Sequence, residues 1–307
     1  MAGGFDAGTF CADSFWDETR RYGVTVVSYS WTMLRDIVEA PPHPGERHHG
    51  IRAFIGSGMP AGLWHRVTER IAPAKVVEFY ASATTDAMLV NTRGVKVGCK
   101  GTPLPGGPEL RIVAVDEATH RVALLADGSA RQCRPREIGM LLARVDPRAA
   151  EAPGRLRGLF APDDGWLSTG DLFYQDEDGD FWLAGSADSL VTTAHGTVAG
   201  SAVEAALGCL DAVDLSATYA VPGPDGHDLA VTALTLRPGH SLDDDHLSAA
   251  LEELPPDRRP HVVHVVDHIP VSTWHRPLTD ALAMKGRPAP GQAVYEFDPV
   301  TGGYRAG

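Results

Sequence analysis

The stretch VTVVSYSWTMLRDIVEA, residues 24–40, decides the fold. It opens on a β-branched run, Val24 to Val27, of the kind that suits a strand. It passes through Ser30 into apolar residues at helical spacing, with Met33, Leu34, Ile37 and Val38 on one face. Ser30 is placed to cap that helix, and Pro41, Pro42 and Pro44 end it. The same alternation continues on both sides. Upstream, residues 15–22 have helical spacing, with Ser14 as the expected N-cap and Gly23 as the stop. Downstream come a short apolar strand at 51–55, a helix at 60–71 with Leu63, Trp64 and Val67 inward, and a strand at 76–80. Strand and helix in strict alternation predict a parallel, doubly wound sheet, here a partial one.

Beyond residue 95 the texture changes. Short apolar runs broken by Gly and Pro replace the helical period. Strands are expected at 110–115, 122–125 and 139–145, arranged as a small barrel-like unit or meander. A linker follows at 149–158. Residues 166–190 read as a strand hairpin turned by QDEDGD (175–180), with Gly179 suited to positive φ. A small α+β unit comes next. It has a helix at 200–210, strands at 217–221 and 229–236, a helix from Asp243 presenting Leu247, Leu251 and Leu254, and a strand at 261–266. The tail after Gly286 is rich in Pro and Gly and is expected to be loosely ordered. The expected organisation is a partial α/β subdomain (1–94), a β-rich subdomain (95–184), a small α+β domain (185–290) and a tail (291–307).

Composition narrows the function classes. The 307 residues are long enough for two domains and a sizeable core. A net charge of −13 argues against nucleic acid or an anionic membrane as the main partner, since both require a basic face. No apolar run approaches the roughly 20 residues of a membrane span. Residues 1–10 lack the basic and apolar regions of a secretory signal. Four cysteines lie far apart with no CxxC pair, which fits buried thiols in a reducing compartment. These features lead to an expectation of a cytoplasmic protein, with peripheral membrane association left open.

Two segments can carry chemistry. VVEFYASATTD (76–86) is a buried strand ending in Tyr80, followed by Ser82, Thr84, Thr85 and Asp86. Ligands bind beyond the carboxyl ends of strands in open parallel sheets. Hydroxyls there can hold phosphate oxygens, and a carboxylate can serve Mg2+ beside them. A plain polar turn is the competing reading. GWLSTGDL (165–172) places Asp171 after a turn-permitting Gly170, where its carboxylate can accept two ribose hydroxyls or simply cap its own turn.

Taken together, the order and spacing of these segments resemble the adenylate-forming superfamily of acyl-CoA synthetases and luciferases. FWDETRRYGVTVVSYSWTMLRDIVEAP, IRAFIGSGMPAGLWHRVTERI, VVEFYAS and VGCKGTPLPG (97–106) resemble its fatty-acid-transport and very-long-chain acyl-CoA synthetase branch. The resemblance covers roughly residues 10–285. It implies ATP/AMP, Mg2+ and CoA as ligands and a fatty acid as substrate, joined through acyl-AMP to acyl-CoA. Residue by residue, it implies Tyr80 beside the adenine ring, Thr84 or Thr85 at phosphate, Asp86 at Mg2+ in place of the family's Glu, and Asp171 on the ribose. The local spacing is longer than the family's Tyr-Gly-x-Thr-Glu, so the register of Thr84, Thr85 and Asp86 stays open.

The chain also departs from the family. The family's Gly-Arg-x-Asp reads Gly185-Ser186-Ala187-Asp188 here, and Ser186 cannot supply a guanidinium. The usual hinge residue near Ser189 is absent, and AHGTV (194–198) keeps only the glycine of the CoA-presenting loop. Where the family has a catalytic Lys, IPVSTWHRPL (269–278) offers His275 and Arg276, with Arg276 as the candidate to stabilise negative charge. Neither the family's Ser/Thr/Gly-rich phosphate loop nor GxxxxGK[ST] occurs in these residues. His261, His264 and His268 look like a ligand set, but on a strand His261 and His264 point to opposite faces. Ser57 lacks GxSxG.

Two readings follow. One is the C-terminal portion of a fatty acyl-CoA ligase, complemented by an N-terminal half on another chain or self-associating along an exposed sheet edge. In that reading, rotation of the small domain about 185–189 separates the half-reactions. The other is a non-catalytic relative that binds nucleotide, acyl-CoA or protein. On either reading, these residues alone are expected not to run adenylation.

Overall fold

The computed structural model describes residues 10–116, 119–146, 154–271, 277–289 and 293–307, with backbone only at residue 188. It has a mixed α/β architecture with several sheets, and its contacts divide it into two compact units. The first comprises Met1–Phe79 and Asn91–Gly98, the second Tyr80–Val90 and Cys99–Gly307.

The first unit follows the alternation read from residues 24–40. Helix α1 (Ala12–Arg21) leads to strand β1 (Val26–Ser28), helix α2 (Trp31–Glu39), strand β2 (Ala53–Gly56), helix α3 (Ala61–Arg70) and strand β3 (Lys75–Ala81). The strands pair in parallel, with Val26 opposite Ala53 and Phe54 opposite Val76. Ser30 caps α2, its hydroxyl accepting from the Met33 amide at 3.3 Å. The helices bury Phe15, Trp16, Trp31, Leu34, Ile37, Leu63, Trp64 and Val67. Helix α1 starts earlier than Ser14. Cys11 holds the N-cap position, and the Ser14 hydroxyl instead donates back to the Cys11 carbonyl at 3.4 Å. Asp13 in the first turn complements the positive end of the helix dipole, which favours the earlier start.

The second unit begins with the last residues of β3, Tyr80 and Ala81, and the antiparallel pair β4 (Met88–Val90) and β5 (Thr102–Pro103). Its middle is an open antiparallel sheet made of β6 (Leu110–Val113), β7 (Gly139–Arg144), β8 (Leu156–Arg157), β9 (Gly165–Gln175) and β10 (Phe181–Ser186). The order is β10-β9-β7-β6, with β8 beside β9. The barrel-like expectation thus resolves, among the described residues, into a sheet that does not close. Residues 122–125 form only isolated bridges, Val115 to Val122 and Leu124 to Ala130, because the Asp127–Ser129 turn reverses the chain too soon for a ladder. The β9–β10 hairpin is as expected. Asp176 Oδ1 accepts the amides of Asp178 and Asp180 at 3.0 Å each, and Gly179 has φ +81°.

The remainder of the unit contains β11 (Leu190–Thr192), β12 (Thr197–Ala199), α4 (Gly200–Leu207), β13 (Val213–Pro222), β14 (Asp228–Leu236), α5 (Asp244–Leu251), β15 (Val262–Val265), α6 (Asp280–Ala283), β16 (Val294–Asp298) and β17 (Gly303–Ala306). Strands β13 to β17 make one sheet in sequence order, with only β14 and β15 parallel. Strand alternation sorts its two faces. Ala230, Leu234 and Val263 pack with Val203 and Leu207 of α4 and Leu247 and Leu251 of α5, while Val231, Ala233 and Val262 pack with Ile269 and Leu282.

The tail corrects an expectation. Beyond Gly286 the chain forms the β16–β17 hairpin, which buries Tyr295 and Tyr304. The Tyr304 hydroxyl donates to the Pro260 carbonyl at 2.7 Å, and Arg259 donates to the carbonyls of Leu254, Glu252 and Gly302. Pro and Gly occupy the approach and the turn, and the aromatic positions between them supply the order. Among the described residues no helix is long and apolar enough to cross a membrane.

Candidate functional site

Tyr80 ends β3 and Asp171 lies within β9, 91 residues apart in sequence, and their side chains meet. The Tyr80 phenol donates to Asp171 Oδ2 at 2.5 Å. Both residues lie in the second unit. Alternation along β3 carries Val76, Glu78 and Tyr80 to its buried face. The Tyr80 ring sits edge-on to Phe173, with centroids 4.8 Å apart, and only 8% of the residue is exposed. Burial, and then the Asp171 carboxylate, push the Tyr80 phenol well above its ordinary range. It therefore remains a proton donor at neutral pH.

Asp171 is aimed by its own turn. Gly170 has φ +79°, a conformation that L side chains rarely adopt. It falls in the irregular part of the β7–β9 ladder, between the pairs Leu142–Ser168 and Met140–Leu172. Thr169 stitches the turn to β7. Its hydroxyl donates to the Leu141 carbonyl at 3.0 Å and accepts from the Asp171 amide at 3.1 Å. Across the other ladder, Asp171 is paired with Ser186 of β10. The position paired with Asp171 across that ladder therefore carries a neutral hydroxyl.

The loop after Tyr80 sorts the remaining candidates. The Ser82 amide donates to the Ala87 carbonyl at 2.9 Å and closes the loop. Thr84 is exposed, its hydroxyl 3.2 Å from that of Ser82. Thr85 is 4% exposed, and its hydroxyl accepts from the Ala87 amide at 3.4 Å, so it braces the loop from inside. Asp86 is exposed at φ +54°. The structure thus brings Tyr80 and Asp171 into contact and leaves one threonine hydroxyl and one carboxylate facing solvent in the loop just beyond. His275 and Arg276 lie outside the described residues. The histidine set does not assemble. His261 Nδ1 accepts from the Ala230 amide at 3.2 Å, whereas His264 Nε2 lies 2.9 Å from the Tyr219 hydroxyl.

Sequence reasoning passed over one buried group. Glu78 has no solvent exposure. Its carboxylate takes the Tyr29 phenol at 2.5 Å, the Met59 amide at 2.9 Å and the Gly58 amide at 3.3 Å, all within the first unit. The signal was available, because a Glu flanked by Val76, Val77, Phe79 and Tyr80 on a buried strand needs partners. A second feature is the turn carboxylates Asp176, Asp178 and Asp180, whose ligand atoms lie within 4.8 Å of one another. Asp176 there accepts two turn amides and the Trp182 indole, which accounts for its placement.

No family model matches the chain. Among curated proteins it is 26% identical over 292 residues to the long-chain fatty acid transport protein 5 of Mus musculus, covering 90% of this chain and 42% of that protein. It is 29% identical over 277 residues to a medium/long-chain fatty acid–CoA ligase of Mycobacterium tuberculosis, covering 86% of this chain and 46% of that one. It thus spans less than half the length of these relatives. Among solved structures, the ATP-bound MatB of Rhodopseudomonas palustris superposes with a TM-score of 0.69 at 22% identity, over 90% of this chain and 53% of that one. The O-succinylbenzoate coenzyme A synthetase of Bacillus subtilis in complex with AMP superposes with a TM-score of 0.63 at 20% identity, over 91% and 54%. Over most of its length, the chain is similar in sequence to long-chain fatty acid transport proteins and to a fatty acid–CoA ligase.

Proposed function

We propose that this chain supplies the nucleotide-binding portion of an AMP-forming fatty acid–CoA ligase, acting together with an N-terminal half like the one its relatives possess. The observation that carries this reading is the meeting of Tyr80 and Asp171, the two positions the family resemblance assigns to adenine and ribose. In this reading Asp171 accepts the ribose hydroxyls and the Tyr80 ring borders the base. Thr84 is the exposed hydroxyl offered to phosphate, with Thr85 left to hold the loop. A lone exposed carboxylate such as Asp86 suits Mg2+, which is usually held by one or two carboxylates and the substrate's own phosphates. The ion would neutralise phosphate charge, and Arg276 would add a fixed positive charge near the reacting carboxylate. The overall reaction joins a fatty acid to CoA through acyl-AMP, with rotation about residues 185–189 between the two half-reactions.

A second reading, that of a nucleotide-binding relative without catalysis, is favoured by Ser186, which places no positive charge opposite Asp171. Both readings require AMP to bind at Asp171. Calorimetric titration of the 307-residue chain with AMP is expected to show binding that Asp171→Ala abolishes. Equal binding by the variant removes Asp171 from the site. Fatty-acid-dependent ATP–pyrophosphate exchange separates the readings. It is expected to be absent from the chain alone and to appear when an N-terminal half from a ligase relative is added. No exchange under any complementation favours the second reading.

A further inference from the structure

The chain leaves β10 through a joint, residues 185–189, that is tied down from a distance. The β9–β10 ladder shifts register between Leu183 and Gly185, which leaves Ala184 without a cross-strand partner. Ala184 is buried, so its carbonyl needs an acceptor's bond from elsewhere. The Ser201 hydroxyl of α4, 17 residues on, donates to it. This bond joins two cores. Ala184 and Ala187 pack with Leu142, Trp166 and Leu172 of the middle sheet. Val203 and Leu207 of α4 pack with Leu234 of β14 and Leu247 of α5. Helix α4 is also held to β13, where Glu204 accepts the Thr218 amide at 2.9 Å, so Ser201 is presented from a fixed support. Between the two cores lies Gly185, at φ +117°. A Cβ added there would lie 3.1 Å from Ser201 Oγ and 3.2 Å from Ser189 Oγ. Ser189 serves the joint internally, since its hydroxyl accepts from the Ser186 amide at 3.1 Å and donates to the Ser186 carbonyl at 2.8 Å. Ser201 reaches the joint from outside it.

We infer that Ser201 is a latch on this joint: by holding the Ala184 carbonyl it fastens α4, and with it the β13–β17 sheet, to the β9–β10 hairpin, and the joint turns only when this bond opens. The inference rests on the proposed rotation about residues 185–189 and names what restrains it. Turning about Gly185 carries Ala184 and α4 in different directions, and the Ser201 bond is the first contact this separates. A single bond between neutral groups is a suitable restraint. It sets the resting arrangement, yet its loss is small enough to be met by other contacts when the joint opens. The bond also gives the joint a resting position that glycine alone cannot supply, because Gly185 has no side chain to bias its backbone.

Hydrogen exchange read by mass spectrometry provides the test, on the 307-residue chain without nucleotide, comparing wild type, Ser201→Ala and Ser201→Thr. The reporters are the amides of Ser186, which donates to Ser189 Oγ, and Leu190, which donates to the Ala187 carbonyl. Ser201→Ala removes only the hydroxyl, and these amides are expected to exchange about fivefold faster, the equivalent of about 1 kcal/mol. Strands β1 to β3 of the first unit, which share no contact with Ser201, are expected to exchange as in wild type. Ser201→Thr keeps a hydroxyl and is expected to restore most of the protection. Joint amides that exchange at the wild-type rate in Ser201→Ala overturn the latch, whatever happens elsewhere. Equal acceleration in β1 to β3 marks a general loosening and overturns it too, as does a threonine variant no better protected than alanine. The measurement uses no nucleotide, so its failure leaves AMP binding at Asp171 standing, and a failure of AMP binding leaves the exchange result in force.

Discussion

Tyr29→Phe tests whether the buried Glu78 carboxylate organises the first unit. Glu78 is fully shielded from solvent and takes the Tyr29 phenol at 2.5 Å alongside the Met59 and Gly58 amides. These contacts tie β1's end, the loop after β2 and the middle of β3 to one group. The substitution removes a single donor and leaves the ring. That ring packs so closely on β2 that a Cβ added at Gly56 would lie 2.7 Å from it, so the phenyl group stays where it is. A hydrogen bond to a carboxylate nets roughly 1.5–3 kcal/mol, and its loss from a buried acceptor falls at the upper part of that range. We expect a loss of about 2 kcal/mol. Urea unfolding followed by tryptophan fluorescence reads the first unit through Trp16, Trp31 and Trp64. With a urea m-value of about 2 kcal/mol/M, the midpoint moves down by about 1 M at constant m. A shift below about 0.25 M, the level of an ordinary surface substitution, refutes the argument. The pH dependence gives a second check. Burial first, and Glu78 second, raise the Tyr29 phenol above its ordinary value. The stability this bond lends is complete below about pH 10 and is lost as the pH rises further. Tyr29→Phe is expected to lack that part of the alkaline loss.

Three further outcomes are expected. Ser186→Arg places a guanidinium opposite Asp171 in the β9–β10 ladder and is expected to tighten AMP binding about tenfold in a salt-sensitive way; unchanged affinity means the ladder position does not reach the ligand. Glu204 of α4 is raised from 4.5 to about 7, chiefly by burial and against the opposing bond from the Thr218 amide. A raised carboxyl contributes its stability at low pH and loses it as the pH climbs through 7, so thermal melts should fall between about pH 5 and 8, and Glu204→Gln should flatten that fall. Gly139→Ala brings a Cβ to 2.2 Å from the Val113 carbonyl oxygen and 2.5 Å from Cys133 Sγ. The β6–β7 ladder must then shift, at a cost of about 1–3 kcal/mol by chemical denaturation.

The first unit was legible because its signals are local. Ser30, the apolar positions after it and the three prolines lie within one short stretch, and the cap and stop of α2 and the burial of Leu34 and Ile37 follow from them, whereas Met33 and Val38 are only half-buried and Trp31 takes the third buried place. Boundaries set by competing local bonds were less legible, as the earlier start of α1 shows. The tail was misread for a different reason. Val294, Tyr295, Phe297 and Tyr304 carry a strand pattern, but what orders them is distant. Tyr295 donates to the Leu242 carbonyl, Tyr304 to that of Pro260, and Arg259 reaches the Gly302 carbonyl. Composition along the tail cannot reveal partners supplied by earlier elements. The open middle sheet is a similar case. Its short apolar runs fit a barrel or a meander equally well, and strand order, not strand content, distinguishes the two.

At the candidate site, sequence supplied the residue types and the fold supplied their relations. That Asp171 reaches the Tyr80 hydroxyl depends on the ladder irregularity around Gly170, which no spacing rule anticipates. The loop after Tyr80 makes the same point for the threonines. Two adjacent hydroxyls look equivalent in sequence, yet one is 4% exposed and spent on its own loop, leaving Thr84 as the hydroxyl open to a ligand. The departure at Ser186 gains meaning only from the register. That register pairs it with Asp171 across the β9–β10 ladder, so Ser186→Arg tests this position directly, and unchanged AMP affinity in that variant would remove it from the site.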